Sequence, residues 1–257
     1  MRFLSAAHTD VGTTKKINQD AFTLKIAKTP KYNVCFAVMC DGMGGLKSGE
    51  LASAFVVNAF SNWFEQEFPN IVSSRVDLDK IKERWKDIAI SQNKKIMAYG
   101  KSRGISLGTT LSAILLIENQ YIFIHIGDSR IYRINSSEIT QITKDHTFVA
   151  NEVAHDRMTL EQAKSDSRQN ILLQCIGASN SIECEIQSGA FVENEEFLLC
   201  SDGFRHEISN EEIFGALAPD VMTSEKMMKK YLVDLVNLDK KRKERDNISA
   251  ILIKSIY

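Results

Sequence analysis

Five aspartates lie where apolar segments of the sequence begin or end, most of them beside glycine, serine or asparagine. A carboxylate in such a place is partly desolvated, and leaving it unpaired there costs free energy. One Asp-Gly pair is an ordinary turn, but if several strand ends converge, their like charges repel unless cations neutralise them. The five residues are Asp20, Asp41, Asp128, Asp202 and Asp246.

The candidate ligands are oxygen atoms, since no cysteine or histidine stands at a metal-binding spacing. Oxygen ligands favour Mg²⁺ or Mn²⁺ over zinc. Glycines beside the carboxylates, such as Gly42 after Asp41, let backbone carbonyls join the coordination shell. A water between two such ions is a nucleophile near neutral pH and is suited to in-line attack on phosphorus. The residues therefore predict metal-dependent hydrolysis of a phosphate ester.

Short runs rich in β-branched, aromatic or leucine residues predict the strands that carry these aspartates. Asn119-Gln120 indicates a tight turn between two of the runs, so an antiparallel hairpin is expected there. Residues 130–134 are expected to continue the same meander. The predicted hairpin joins residues 110–117 to residues 121–126, and the other predicted strands cover residues 34–40, 197–200 and 248–253.

Apolar residues at helical spacing predict three long helices. Two shorter helices are expected to begin with capping boxes, in which a hydroxyl residue and a Glu or Gln three positions later bond each other's backbone N–H. The long helices cover residues 50–68, 78–99 and 224–238, and the capping pairs are Thr159 with Gln162 and Ser209 with Glu212. On the first helix the expected inner face recurs at every fourth position: Leu51, Phe55, Ala59 and Trp63.

The order of these elements favours an α+β fold. Two long helices lie between the early and middle strands, whereas the middle strands follow one another through short turns, which indicates antiparallel rather than doubly wound parallel sheets. Because some strands are apolar on both faces, we expect a four-layer α/β/β/α sandwich of two antiparallel sheets flanked by helices. With 257 residues and no Pro-, Gly- or Ser-rich linker, residues 1–257 are expected to form a single catalytic domain.

Composition excludes several classes of partner. The net charge of −1 creates no field toward nucleic acid. The five cysteines are odd in number and lack CxxC spacing, which predicts reduced thiols rather than disulfides. Neither a signal peptide nor an apolar run long enough to cross a bilayer is found. We therefore expect a cytoplasmic protein, a monomer, with no nucleic-acid or membrane partner.

Seven segments, in order over nearly the whole chain, resemble the metal-dependent serine/threonine protein phosphatases of the 2C type, and most closely the bacterial branch. Each segment alone is a weak signal, but seven in the right order at plausible intervals are a strong one. The segments are Gly12 through Asn18-Gln19-Asp20, Asp41-Gly42-Met43-Gly44-Gly45, Gly108-Thr109-Thr110, Gly127-Asp128-Ser129-Arg130-Ile131-Tyr132, Thr143-Lys144-Asp145-His146, Ser201-Asp202-Gly203 and Asp246-Asn247.

The resemblance implies a role for each residue of a centre with two core ions at one edge of the sandwich. Asp41 would bridge both ions, and the carbonyl of Gly42 would complete the shell of one. Asp202 and Asp246 would hold the first ion. Asp20 would lie beside the second, directly or through water. Asp41, Asp202 and Asp246 are the residues on which catalysis is expected to depend most.

Two further features follow from the same resemblance. Asp128 matches the position that, with Asp202, binds a weaker third ion in similar bacterial enzymes. Residues 143–177 resemble a mobile flap beside the cleft that influences substrate choice. On this view the substrates are phosphorylated proteins, products of a cognate serine/threonine kinase.

The chain departs from the family pattern at three positions. Lys15 stands where the family has a phosphate-binding arginine, and a lysine cannot make the bidentate fork of a guanidinium; Lys16 or Arg130 could compensate. Gln19 replaces a glutamate, which removes a negative charge near the second ion. Met43 replaces a histidine proposed as the general acid in animal members.

These departures leave other functions open. The alternative to an active protein phosphatase is a catalytically degenerate binding module with the same fold, which Lys15 and Met43 favour but the complete aspartate set does not. A hydrolase of small phosphate esters or nucleotides would use the same chemistry, although the sequence has no nucleotide-binding motif. Of the histidines, we expect His125 to be a hydrogen-bonded core residue and His146 to hold the flap structurally.

Overall fold

The computed structural model describes residues 1–43, 48–73 and 76–256. Two five-stranded antiparallel sheets pack against each other, and helices cover their outer faces. The predicted α/β/β/α sandwich is therefore confirmed. Gly44 and Gly45 of the second sequence segment lie outside the described residues.

The first sheet has the order β1 (Arg2–Asp10), β10 (Ile248–Ile256), β9 (Glu196–Cys200), β6 (Arg130–Ile134) and β7 (Ile139–Gln141). The second sheet has the order β2 (Asp20–Lys28), β3 (Asn33–Asp41), β4 (Leu111–Ile117), β5 (Gln120–Ile126) and β8 (Glu185–Ala190). The helices are α1 (Gly49–Gln66), α2 (Phe68–Ser73), α3 (Leu78–Arg103), α4 (Phe148–Ala154), α5 (Leu160–Ser165), α6 (Asn210–Leu217) and α7 (Glu225–Lys241).

The central strands of the second sheet, β3 and β4, are buried on both faces. In β3, Cys35, Ala37 and Met39 point into the layer between the sheets, whereas the alternate residues, including Phe36 and Val38, face the helices. Helices α1 and α3 cover that outer face, while α6 and α7 cover the first sheet. Double burial explains why β3 and β4 are continuous apolar runs instead of alternating patterns.

The predicted inner face of α1 was wrong near the start of the helix. Leu51 and Phe55 are exposed, and the core instead receives Ala52, Val56 and Phe60. An every-fourth-residue series advances by about 40° beyond a full turn at each step, since a helix has 3.6 residues per turn. The series therefore drifts around the helix: Ala59 is partly buried and packs against the core, and Trp63 is fully inside it.

The path after the central hairpin also differs from the prediction. The hairpin β4–β5 exists, but its turn is Glu118-Asn119, since Gln120 already pairs with Ile117. β6 does not continue this meander; it lies in the first sheet between β9 and β7. Gly127, with φ +109°, allows the chain to cross between the sheets. The crossing places the loop that contains Asp128 where the two sheets meet.

The five cysteines are free thiols, and four of them are buried. Among the residues that the structure describes, no helix has both the length and the apolar character needed to span a bilayer. Both predicted capping boxes are present, at the starts of α5 and α6.

Candidate metal centre

Two of the five aspartates face each other at the end of the second sheet. Asp20 begins β2, Asp41 ends β3, and the two are direct partners in the antiparallel register. Direct partners point to the same face of a sheet, with Cβ atoms about 4.5–5.5 Å apart. The pairing therefore places two carboxylates side by side at one edge of the sandwich.

The other three aspartates come from the first sheet. β9 and β10 are antiparallel neighbours, so the end of β9, which precedes Asp202, lies beside the start of β10, which follows Asp246. The start of β6 reaches the same place, because Arg130 pairs with Cys200 of β9. Asp128, two residues before β6, thereby joins this edge. Neighbouring antiparallel strands thus bring together residues far apart in the sequence.

A cleft of about 840 Å³ opens at this edge. Asp20 lies behind its wall, and the charges of Asp202 and Asp246 act on it there. The predicted flap segment, residues 143–177, contributes another wall of the cleft through Leu172, Leu173 and Cys175. The remaining aspartates line the cleft together with one lysine and one methionine: Asp41, Asp128, Asp202, Asp246, Lys15 and Met43.

Burial and mutual repulsion perturb these carboxyl groups. Burial raises the pKa of Asp41 well above its usual value, and the charges of the other four aspartates raise it further. The pKa of Asp20 rises to about 7, first through burial and then through Asp202 and Asp246. Burial, followed by the charge of Asp202, raises the pKa of Asp128 to about 7 as well. Such groups ionise fully near neutral pH only if positive charge is brought to them.

Several carboxylate oxygens at this edge are buried without a partner. Both oxygens of Asp20 and Oδ1 of Asp202 make no hydrogen bond within the described residues. The hydroxyls of Ser201 and Ser249 are near enough to lower the pKa of Asp20 somewhat, but Ser249 Oγ bonds Thr9 Oγ1 at 2.7 Å, and Ser201 Oγ accepts from Ser249 N at 3.0 Å. Buried acceptors of this kind normally find a partner. The unpaired oxygens therefore fit a divalent cation.

The spacing of the aspartates indicates the type of cation site. Among the residues that the structure describes, three side chains with possible ligand atoms within 4.8 Å of one another are His125, His146 and Glu185. Within this part of the chain, the aspartates at the cleft do not form such a tight group of three. A spread set of carboxylates suits ions that each take one or two of them and keep several waters, which is typical of Mg²⁺. A tight cage made only of protein ligands is not what this arrangement favours.

Both ring nitrogens of His125, the buried member of this histidine group, already have hydrogen-bond partners. His125 is fully buried, with Nδ1 2.9 Å from Ser112 Oγ and Nε2 3.0 Å from Gly127 O. Burial lowers its pKa to about 3, so the ring is neutral. His146 Nδ1 accepts from Gly127 N at 3.2 Å and lies 3.0 Å from Gln174 Nε2. His125 is thus a core residue, as predicted, and His146 ties the flap to the loop before Asp128.

The backbone around Asp41 is held by a threonine pair that the sequence analysis matched without assigning a role. Thr109 Oγ1 and Thr110 N both donate to Asp41 O at 2.9 Å. Asp41 N donates to Thr110 Oγ1 at 2.8 Å. Gly42 N donates to Gln19 O, and a Cβ on Gly42 would lie 2.4 Å from the carbonyl oxygen of Gly49. Only glycine fits at this close approach of two backbones.

Lys15 lies in the cleft, as its predicted role requires, and its Nζ is 2.8 Å from Asp246 Oδ1. Burial lowers the pKa of Lys15, but the bond to Asp246 and the charges of Asp41 and Asp202 outweigh burial, so the pKa is raised overall. The suggested compensation by Arg130 is not supported. Its guanidinium is bound to Asp145 at 2.7–3.2 Å and to the hydroxyl of Tyr132.

Two residues near the centre received no role from the sequence, although Asn247 belongs to the last matched segment. Asn247 Oδ1 accepts from Gln19 N, and its Nδ2 donates to the loop between β1 and β2. His206 Nε2 lies 3.5 Å from Asp202 Oδ2, and its Nδ1 lies 3.3 Å from Glu244 Oε2. The sequence shows that Asp202 and His206 are four residues apart, a spacing that brings side chains together in a helix. This spacing predicts a contact only if a helical turn is known to follow β9.

The comparisons with known proteins identify the family of this chain. The family model described as protein phosphatase 2C matches residues 8–246. A Streptococcus pyogenes protein named for the 2C type of protein phosphatase is 32% identical over 247 residues, which cover 95% of this chain and 94% of the relative.

Two solved structures are similar over nearly the whole chain. The serine/threonine phosphatase Stp1 from Staphylococcus aureus has a TM-score of 0.83 at 28% identity, with 97% of this chain and 94% of that one covered. The catalytic domain of the phosphatase PstP, in complex with 2 manganese ions, has a TM-score of 0.77 at 27% identity and 99% coverage of both chains. With the family match across most of its length, the chain belongs to the protein phosphatase 2C family.

Proposed function

We propose that this chain hydrolyses phosphoserine and phosphothreonine in proteins with the help of Mn²⁺ or Mg²⁺. The observation that carries the proposal is a cleft lined by four aspartates from both sheets, with Asp20 buried behind its wall and with buried oxygens of Asp20 and Asp202 that lack a partner in the described chain. Membership of the protein phosphatase 2C family and the named activity of Stp1 support it. The relative with 2 manganese ions supports the choice of metal.

Each aspartate has a distinct part in the proposed centre. Asp41 stands centrally, since it pairs with Asp20 across the strands and feels the charges of the remaining three. Asp41 would contribute ligands to both core ions, and the Gly42 carbonyl would be a further ligand of one of them. Asp202 and Asp246, from neighbouring strands, would hold the first ion, and Asp20 would hold the second, directly or through water. Asp128 stands at the rim, at the position where the family resemblance implies a weaker third ion.

The remaining residues of the cleft act on the substrate. When bound, the ions supply an activated water and neutralise the charge of the phosphoryl group. Lys15 contributes an ammonium group that binds the phosphate as a point charge. Its ion pair with Asp246 places this group in the cleft. The flap residues Leu172 and Leu173 line the mouth of the cleft and meet the peptide around the phosphorylated residue.

The same proposal extends to the setting of the enzyme. A single domain of residues 1–257 acts as a cytoplasmic monomer on proteins phosphorylated by a cognate serine/threonine kinase. The net charge of −1 and the absence of a membrane-spanning helix among the described residues are compatible with this setting.

The decisive experiment is a phosphate-release assay on a phosphothreonine peptide, a phosphotyrosine peptide and p-nitrophenyl phosphate, with Mn²⁺, with Mg²⁺ and with chelator. We expect metal-dependent turnover that favours phosphothreonine over phosphotyrosine. Metal uptake by calorimetry without turnover at high enzyme concentration would instead establish a binding module. Preference for nucleotides over phosphopeptides in kcat/KM would establish a small-molecule hydrolase.

A further inference from the structure

Arg205 lies beside the aspartate at the rim of the cleft. Its Nη2 donates to the backbone oxygen of Asp128 at 3.1 Å and lies 3.8 Å from Asp128 Oδ2. The side chains of both residues are largely buried, with exposed fractions of 13% and 8%. A buried positive charge therefore stands a few ångströms from the carboxylate that would hold a third ion.

The local backbone explains how Arg205 reaches this place. Residues Asp202–Phe204 form a 3₁₀ turn, and Arg205 N closes it by donating to Asp202 O at 3.0 Å. In a 3₁₀ turn the side chains at positions i and i+3 are eclipsed. The turn that presents Asp202 to the cleft thereby directs Arg205 to the same side. Arg205 also lines the larger cavity beside the flap, from which it approaches Asp128.

The bonding of Arg205 differs from that of a structural arginine. Arg130, close by, makes a bidentate pair with Asp145 and a further bond to Tyr132. Arg205 lies 3.8 Å from the same Asp145 carboxylate, which Arg130 already satisfies, and its buried Nε has no partner among the described residues. The guanidinium of Arg205 therefore acts on the Asp128 carboxylate mainly through its charge.

We propose that the guanidinium of Arg205 takes the place of the third, weakly bound divalent ion beside Asp128, so that this chain carries a fixed cation at the rim of a two-ion centre. The inference rests on the proposed function, because it assumes the core ions. A positive charge beside Asp128 repels a divalent ion there strongly in a partly buried site. It also offsets part of the charge of Asp128 at every metal concentration, which a weakly held ion does only at high metal concentration.

The test counts bound Mn²⁺ by the loss of the free-ion electron paramagnetic resonance signal. The variants are Arg205→Gln, which removes the charge but keeps a donor, and Arg205→Lys, which keeps the charge. Arg84→Ala, at a distant exposed pair with Glu67, is the matched control. We expect about two tight ions per chain in the wild type, in Arg205→Lys and in the control, and about one additional weak ion in Arg205→Gln. Adding Asp128→Asn to Arg205→Gln should abolish that weak ion.

Each other outcome overturns a specific part of the inference. A weak third ion already present in the wild type, lost in Asp128→Asn and unchanged in Arg205→Gln, would show that Arg205 does not replace it. A higher KM for phosphopeptide in Arg205→Gln with an unchanged Mn²⁺ count would assign Arg205 to substrate binding instead. Absence of the two tight ions from the wild type would overturn the proposed function and this inference with it. Thermal unfolding curves establish that each variant is folded before ions are counted.

Discussion

Lys15 Nζ and Asp246 Oδ1 form an ion pair at 2.8 Å inside the cleft, between the loop that follows β1 and the loop that precedes β10. The pair joins the proposed phosphate-binding cation to a proposed metal ligand. Both side chains keep partial exposure, at 28% and 37%. Lys15 can therefore leave Asp246 for a phosphate without crossing a packed interior.

Substitution of Lys15 should change substrate binding more than turnover. Lys15→Met removes a charge-assisted bond to phosphate, which is worth about 1.5–3 kcal/mol, so KM for p-nitrophenyl phosphate should rise about tenfold or more. Lys15→Arg should lower KM, because a guanidinium binds phosphate through two parallel bonds. Steady-state kinetics at saturating Mn²⁺ measure both effects. Equal KM values for all three proteins would remove Lys15 from the phosphate site.

Asp202 should be needed for turnover but not for folding. Asp202→Asn removes a proposed ligand of the first ion, so kcat should fall by orders of magnitude, on the scale of about 10²–10³ for loss of one strong electrostatic group. In chelator the variant should unfold at a temperature equal to or above that of the wild type, since repulsion with Asp41 and Asp20 is relieved.

The matched control for this variant is Asp234→Asn on α7, which removes an exposed carboxylate paired with Lys230. It should leave both kcat and Mn²⁺ affinity within experimental error of the wild type. Wild-type turnover in Asp202→Asn would show that the first ion is held elsewhere.

Gly42 should tolerate no side chain. An added Cβ would lie 2.4 Å from Gly49 O and 2.6 Å from Gln19 O, both of them backbone atoms. Gly42→Ala must therefore push β3 away from the start of α1, with a loss of about 1–3 kcal/mol typical of forced overpacking. Because Gly42 follows Asp41 directly, Mn²⁺ affinity should fall as well. Calorimetry and chemical denaturation measure the two effects.

A glycine in open space provides the comparison. Gly215 lies inside α6, and a Cβ there would meet no atom within 4 Å. Gly215→Ala should raise the free energy of unfolding by about 0.5–1 kcal/mol, the helix propensity difference, and leave Mn²⁺ affinity unchanged. If the two alanine variants behaved alike, the close approach at Gly42 would not be the cause.

The sequence predicts the convergence of the aspartates because antiparallel pairing is a local rule. Asp20 and Asp41 stand at opposite ends of two adjoining strands, so a hairpin-like pairing must bring them together. Asp202 and Asp246 flank two strands in the same way, although some 40 residues separate them. Knowing which strands are neighbours was enough, and the family resemblance supplied that knowledge.

The remaining features depend on contacts that no local pattern encodes. The crossing at Gly127 sends the next strand to the other sheet, and its apolar pattern would suit either sheet. The inner face of α1 is ambiguous because apolar residues such as Leu51 and Phe55 lie on its exposed side. Arg205 gains its place beside Asp128 only through the 3₁₀ turn, since no sequence spacing links the two.

Far from the cleft, a buried glutamate should make stability depend on pH. Glu196 in β9 is fully buried, and neither carboxylate oxygen has a hydrogen-bond partner among the described residues. Lys254 is its cross-strand partner, but Lys254 Nζ donates to the carbonyls of Pro219 and Met222 instead. Burial therefore raises the pKa of Glu196 to about 8, and the charge of Lys254 offsets this only partly.

A pKa that is raised in the folded state means that the folded protein binds the proton more tightly than the unfolded chain. The contribution of Glu196 to stability is thus fully present below pH of about 4.3, the ordinary pKa of an unfolded glutamate, and is lost as the pH rises through about 8. Glu196→Gln keeps the neutral shape but cannot ionise. Relative to the wild type, its free energy of unfolding should therefore increase as the pH rises from 5 to 8, at up to about 1.4 kcal/mol per pH unit.

Urea denaturation at several pH values measures this difference in the free energy of unfolding. The exposed Glu138→Gln is the control, and its free energy of unfolding should differ from that of the wild type by the same amount at every pH. A difference for Glu196→Gln that does not vary with pH would show that Glu196 is already ionised in the folded protein at pH 5.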